Sequence, residues 1–335
     1  MSDILWSPNP SQSCEMQQFM KYVNDEHELN FDTYEQLYRW SINCGSDFWA
    51  SIWKYTNIIN SDPYDEVVDD INRMPGSKWF SGSRLNFAEN LLRYKDEKLA
   101  IQFKGEGQPV RSLTYKELYN EVEILASALR NAGLQEGDRV AGFLPNLPEA
   151  IIAMLATASI GAIWSASSPD FGIKGALDRF SQIKPKFLFA TDGYFYNGKS
   201  FDSLEKLREI LKDLPSVEKV ILIPYTKDDF DTSNISHAFY YEDFVDRNNY
   251  DSLVFEQLPF NHPLYIMYSS GTTGLPKSIV HSAGGTLIQH LKELKLHVDL
   301  NRDDTIFYFT TCGWMMWNWL VSSLATGATV VLYDG

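Results

Sequence analysis

Cysteine is scarce in this chain: Cys14, Cys44 and Cys312 lie scattered through 335 residues. Thiols so few and so far apart build neither a disulfide framework nor a zinc site, and they fit a reducing compartment, expected to be the cytosol. Basic charge is also short, with 29 Lys and Arg against 44 Asp and Glu and a formal net charge of −15. Nucleic acid demands a basic face, so it is not an expected partner, and the surplus acidity reads as solubility. No stretch approaches the roughly 18 apolar residues of a membrane span, and the N-terminal Met-Ser-Asp-Ile-Leu-Trp lacks a basic start followed by an apolar core. Neither export nor a membrane anchor is expected. A Gly-x-Ser-x-Gly nucleophile turn, tandem repeats and low-complexity tracts are all missing. His290 and His297 are seven apart, which separates their rings by roughly 10 Å along a helix axis. With His281 they read as surface or packing residues, and no metal site is expected.

Apolar residues are plentiful, at 44% of the chain, enough for a large core and more than one subdomain. Residues 1–75 read as a helical leader. Trp6, Trp40, Trp49 and Trp53 stand among charged residues there, and Phe31, Tyr34, Leu37 and Trp40 form a helical stripe expected to pack as core. From 76 to 258 strand-like runs alternate with amphipathic helices, the signature of an α/β subdomain with a doubly wound, mostly parallel sheet. Thr114 and Glu117 form a capping box ahead of Leu118, Val122, Leu125 and Leu129, and Gly133 ends that helix. Strands are expected at Arg139–Leu144, Ala162–Ser165, Phe187–Ala190 and Val220–Ile223, with helices opening at Pro148 and spanning about Leu204–Leu214. Thr226–His237 reads as an exposed loop near a junction. A second α/β subdomain is expected from 259 to 335, with helices near Gly285–Leu296 and Trp317–Ala325 and strands at Thr305–Phe309 and Thr329–Tyr333.

Chemistry concentrates at Tyr268-Ser-Ser-Gly-Thr-Thr-Gly-Leu-Pro-Lys277, which follows the β-prone run Pro263–Tyr268. A buried strand there delivers the loop to a crevice where ligands bind. Gly271 and Gly274 let the backbone curl so that N–H groups converge, Ser269, Ser270, Thr272 and Thr273 add hydroxyls, and Lys277 adds a mobile cation. The expected ligand is a polyphosphate. Gly271–Ser278 almost fits a P-loop, but Pro276 replaces the second glycine and has no N–H to offer. A different phosphate loop is required. Further on, Thr310-Thr-Cys-Gly-Trp-Met-Met-Trp-Asn318 follows a strand, and its composition fits either an adaptable pocket lining or a buried turn.

The order Tyr-Ser-Ser-Gly-Thr-Thr-Gly-x-Pro-Lys resembles the signature of the adenylate-forming superfamily of acyl-CoA synthetases, luciferases and peptide-synthetase adenylation domains. The segments Leu5–Pro8, Phe48-Trp49, Lys78–Phe80, Arg84–Leu92, Gln289–Glu293 and Phe307–Leu320 narrow the resemblance to the acetoacetate-activating members of that superfamily, over essentially the whole chain. The resemblance implies a ligase that adenylates acetoacetate with Mg-ATP and transfers it to coenzyme A. It implies that Ser269–Gly274 and Lys277 hold the ATP phosphates and that Trp314, Met315 and Met316 shape the acyl pocket. Related acetyl-CoA synthetases carry two basic residues for the coenzyme A phosphates; Lys199 matches one, Tyr196 stands at the other, and a solvated loop lysine fits Lys199 equally well. The superfamily's adenine, ribose and C-terminal lysine elements are not found in these residues. No catalytic side chain is therefore assigned, and the chain is expected to be an N-terminal half that turns over negligibly alone. Two alternatives stay open: a short-chain synthetase for acetate or propionate, and a non-catalytic nucleotide-binding fragment.

Overall fold

The computed structural model describes residues 14–269 and 274–335. Trp6 falls outside them. The leader forms α1 (Glu15–His27), α2 (Tyr34–Asn43) and α3 (Gly45–Tyr55). Thr33 starts α2 through a reciprocal cap with Gln36. Of the predicted stripe, Leu37 is buried and Trp40 half-buried against Phe31 and Phe48, but Tyr34 is 57% exposed. The physical reason is phase: steps of three drift around a 3.6-residue helix, and Phe31 precedes its first turn. Trp53 is buried and stacks on Phe80 with ring centroids 4.7 Å apart, as expected of core. Helix ends at Tyr55, and short strands follow: β1 (Glu66–Val68), β2 (Trp79–Ser81) and β3 (Arg84–Leu85), then helix α4 (Phe87–Leu91).

Alternation then begins with the hairpin β4 (Leu99–Gly105) and β5 (Val110–Thr114) and with α5 (Tyr115–Asn131), which carries the expected Thr114–Glu117 capping box. Next come β6 (Arg139–Phe143), α6 (Pro148–Ser159), β7 (Ile163–Ser167), α7 (Gly172–Ile183) and β8 (Phe187–Thr191). Helix α6 is buried on nearly every side, which matches its apolar sequence. A hairpin of β9 (Gly193–Tyr196) and β10 (Lys199–Asp202) precedes α8 (Leu204–Lys212), β11 (Lys219–Ile223), β12 (Ala238–Tyr240) and the short α9 (Tyr241–Phe244). After β13 (Leu258–Pro259) the chain forms β14 (Pro263–Ser269), β15 (Lys277–Ser282), α10 (Ala283–Lys292) with a π-helical turn over Glu293–His297, β16 (Thr305–Phe307), α11 (Met315–Ser322) and β17 (Thr329–Asp334).

Two sheets organise these elements. The larger runs β12-β11-β8-β6-β7-β14-β15, parallel except for β15, and the smaller runs β16-β17-β4-β5 with β5 antiparallel. The fold is α/β, with mostly parallel, doubly wound sheets. Gly142 in β6 is required by close approach, since a Cβ there would lie 2.8 Å from the Trp164 ring on β7.

Three expectations need correction. The division at 258 does not separate the sheets: β14 and β15 join the larger sheet, and β4 and β5, far earlier in sequence, pair with β17. The loop 226–237 is not wholly exposed, because Phe230 and Ile235 are buried in a second apolar cluster that closes the β11 end of the sheet. Strand β15, where the sequence reading placed nothing before a helix, exists because its ladder to β14 satisfies backbone groups that its exposed side chains give no local signal for.

Candidate active site

In the larger sheet, β6 connects toward β7 on one side while β8 connects toward β11 on the other, so the connections diverge between β6 and β8. A doubly wound sheet binds ligands at such a point, outside the carboxyl ends of its strands. A cleft of about 380 Å³ opens there. It is lined from beyond β6 by Asn146, from beyond β7 by Asp170, from the β9 hairpin by Tyr194, from the turn after β16 by Thr311, and from β17 by Asp334. The two sheets therefore offer their carboxyl ends to one space.

Asn146 ties them together. It is 3% exposed, its Nδ2 donates to the carbonyls of Thr310 at 3.4 Å and Tyr333 at 3.3 Å, and its Oδ1 accepts from Trp317 Nε1 at 2.9 Å. Cys312, in the same turn, is buried with its Sγ 3.2 Å from the Pro145 carbonyl. Burial pushes that thiol well above the ordinary range, which leaves it protonated and inert.

Asp334 closes the cleft's far wall. Burial pushes its carboxyl up to about 6, reinforced by the Glu106 and Asp170 charges and opposed by the Tyr225 hydroxyl at 2.8 Å and the Phe195 amide at 3.3 Å. The Tyr225 phenol is raised in turn, first by its own burial and then by Asp334. Sequence reasoning missed Asn146, Asp170 and Asp334. The available signal for Asn146 was its place just past a predicted strand and two residues before the helix-opening Pro148.

The stem of the predicted phosphate loop is well held. Ser269 and Lys277 are register partners at the open end of the β14–β15 ladder. Gly274 has φ +117, a conformation that favours glycine. Helix α7 braces both arms. Tyr268 Oη donates to the Arg179 carbonyl at 3.1 Å, and burial holds that phenol protonated by pushing it up to about 12. Gln182 Nε2 donates to the Pro276 carbonyl at 2.9 Å, and its Oε1 accepts from Ser278 Oγ at 3.0 Å. Lys277 is exposed at the loop mouth. Ser270, Gly271, Thr272 and Thr273 lie outside the described residues.

The predicted acyl residues open α11. Trp314 is 59% and Met315 45% exposed, and Met316 is half-buried, so they form an open wall rather than an enclosed pocket among the described residues. One turn deeper on α11, Asn318 reaches Met267 on β14, with Nδ2 3.7 Å from its Sδ. That contact puts the predicted acyl turn beside the stem of the predicted phosphate loop. Lys199 is exposed on β10, opposite Tyr196 in the hairpin whose first strand lines the cleft.

Of the three histidines, His290 is buried with Nδ1 2.8 Å from Ser322 Oγ, and burial lowers it to about 4, so it is neutral near pH 7. Among the described residues no group of three or more His, Cys, Asp or Glu side chains is arranged to hold a metal ion, and no helix is long and apolar enough to cross a membrane.

Comparison with known proteins follows the same lines. The chain is 52% identical over 342 residues to an acetoacetyl-CoA synthetase of Gallus gallus, covering 100% of this chain and 51% of that relative. A malonamoyl-CoA synthetase, vrtB, of Penicillium aethiopicum is 44% identical over 99% of this chain and 48% of its own length. The solved acetoacetyl-CoA synthetase from Streptomyces lividans superposes with a TM-score of 0.94 at 41% identity, over 100% of this chain and 52% of that one. The chain thus spans about half the length of the curated relatives it matches. An acetyl-coenzyme A synthetase N-terminus description matches residues 34–91, from the start of α2 to the end of α4. The AMP-binding enzyme description matches residues 87–335, which hold both sheets and every wall of the cleft, and the chain belongs to the AMP-binding enzyme family.

Proposed function

We propose that this chain supplies the nucleotide and acyl recognition of an acid–thiol ligase that joins acetoacetate to coenzyme A at the expense of Mg-ATP. A carboxylate oxygen of acetoacetate attacks the α-phosphorus, the bond to the β-phosphate oxygen breaks, and its electron pair leaves with pyrophosphate. The coenzyme A sulfur then attacks the acyl carbon as the thiol proton passes to solvent, and the C–O bond to AMP breaks. Ser269–Gly274 and Lys277 hold the β- and γ-phosphates so that the departing charge is neutralised, a task of position and electrostatics that needs no protein nucleophile. Trp314, Met315 and Met316 shape the acyl pocket.

The observation that carries this reading is the Met267–Asn318 contact, which brings the braced stem of a phosphate-binding sequence against the acyl turn. The choice of acid is supported by the relatives. Both acetoacetate and the malonamoyl group named for the fungal relative bear a carbonyl oxygen at C3. The match of residues 34–91 to an acetyl-coenzyme A synthetase N-terminus favours acetate as the competing substrate. In the intact enzyme, acid-dependent ATP–pyrophosphate exchange is expected to run at least about 10-fold faster in kcat/KM with acetoacetate than with acetate or propionate, a gap of about 1.4 kcal/mol. A lead for acetate would transfer the assignment to that acid.

Coenzyme A approaches, in this reading, past the β9–β10 hairpin, where Lys199 offers a cation to its phosphates. Lys199→Ala is expected to raise the KM for coenzyme A about 10-fold, the scale of one charge-assisted hydrogen bond, while leaving pyrophosphate exchange unchanged. An unaltered KM removes Lys199 from the site.

A further inference from the structure

A cavity of about 430 Å³, larger than the cleft at about 380 Å³, opens at the other end of the larger sheet. Its walls come from the second half of α8 and from the residues that lead into β11 and β12, so it faces the amino ends of those parallel strands. None of the residues proposed for the ligase reaction lines it.

Helix α8 accounts for its chemistry. Leu204, Leu207 and Leu211 recur at helical spacing and pack into the second apolar cluster. Arg208 shares that face, four residues after Leu204 and three before Leu211, where an apolar side chain would continue the stripe. It is therefore half-buried, and its Nε is enclosed without a partner. Among the described residues every other arginine donates to a carbonyl or a carboxylate, as Arg139 does to the Ile183 carbonyl and Arg247 to Glu121 and Glu242. Arg208 makes neither a hydrogen bond nor an ion pair there. Asp231 is held below the ordinary carboxylate range chiefly by Ser233, whose amide it accepts at 2.8 Å, and only lastly by the Arg208 charge, with no ion pair between the two.

The rest of the lining suits the same kind of occupant. Lys212 lies one turn beyond Arg208. Its partner at 2.6 Å, Glu209, is the one acidic side chain lining the cavity among the described residues, and an ion pair this exposed is weak. Asn234, Ser236 and His237 add polar groups at the rim, while buried Val217 and Ile235 supply an apolar floor beside Leu211. A guanidinium only donates, and its planar fork matches carboxylate and phosphate oxygens. What Arg208 lacks is an acceptor, and the cavity gives one room.

We propose that this cavity is a second ligand site that takes a small organic anion. An oxyanion head, carboxylate or phosphate, accepts hydrogen bonds from the Arg208 guanidinium, and a short apolar body lies against Leu211, Val217 and Ile235.

The test titrates the intact enzyme with hexanoate, hexyl phosphate and inorganic phosphate by calorimetry. Saturable binding of hexanoate or hexyl phosphate is expected with a Kd of about 1 mM or tighter. Inorganic phosphate, which lacks the apolar body, should bind at least about 10-fold more weakly. Arg208→Leu, which suits the apolar stripe, is expected to weaken binding of the organic anion by at least about 10-fold, with the melting midpoint and the rate of ATP–pyrophosphate exchange unchanged. Lys277→Ala, at the opposite end of the sheet, should leave this binding as it is. Equal affinity in the parent and Arg208→Leu, no binding of either organic anion, or a loss caused by Lys277→Ala instead overturns the site. A midpoint well below the parent's in Arg208→Leu shows that the guanidinium has a protein partner in solution and overturns it as well. The ligase reading stands under each of these results, since it uses the other end of the sheet.

Discussion

Lys277→Ala in the intact enzyme is expected to slow acid-dependent ATP–pyrophosphate exchange by about 10²–10³-fold, some 3–4 kcal/mol of lost transition-state stabilisation. The size follows from what the lysine is asked to do. As the α-phosphorus bond breaks, negative charge grows on the departing pyrophosphate, and a cation at the loop mouth stabilises that charge more than the ground state. The loss should therefore fall on kcat more than on the KM for ATP. Lys277 lies at the exposed end of β15, opposite Ser269, and its side chain carries no part of the core. Thermal stability should accordingly be unchanged. Normal exchange in the variant would remove this lysine, and with it the loop's assignment, from the phosphate site.

The second large effect concerns Asn146. Asn146→Leu is expected to lower the unfolding free energy by about 3 kcal/mol and the midpoint by roughly 6 °C in a domain of this size. The leucine cannot accept from Trp317 Nε1 or donate to the Thr310 and Tyr333 carbonyls, so one buried donor and two carbonyls near the cleft lose their partner at once. Calorimetry or a denaturant melt measures the loss. Because these bonds join the segment after β6 to the turn after β16, to β17 and to α11, the substitution should also loosen the proposed acyl wall and raise the KM for the acid. A variant as stable as the parent would mean that the sheets are held together elsewhere.

The candidate site was proposed from the sequence before any fold was known. The phosphate-loop sequence stood out because Pro276 excluded the P-loop and the hydroxyl, glycine and lysine pattern remained. The capped helix α5, the buried helix α6 and the strands around them were legible too, since caps and hydrophobic periodicity act within a few residues. Asn146 has little local signal beyond its place after a strand, and its part in joining the sheets depends on Trp317 and on two carbonyls from distant segments. Asp334 likewise reads as an ordinary acidic residue after a strand, and only burial beside Glu106 and Asp170 raises its carboxyl toward neutrality.

What the sequence determined by itself is therefore the strongly patterned elements, the α/β class and the position of the glycine- and hydroxyl-rich loop that follows β14. The tertiary structure decided which strands share a sheet, because ladder hydrogen bonds are made by backbone groups common to every residue and carry no address. Strand β17 pairs with β4 more than 200 residues away, and β14 with β7, because those pairings bury the apolar faces of Ile101, Phe103, Trp164, Tyr265 and Val330 together. That choice alone brings the carboxyl ends of two sheets to one cleft.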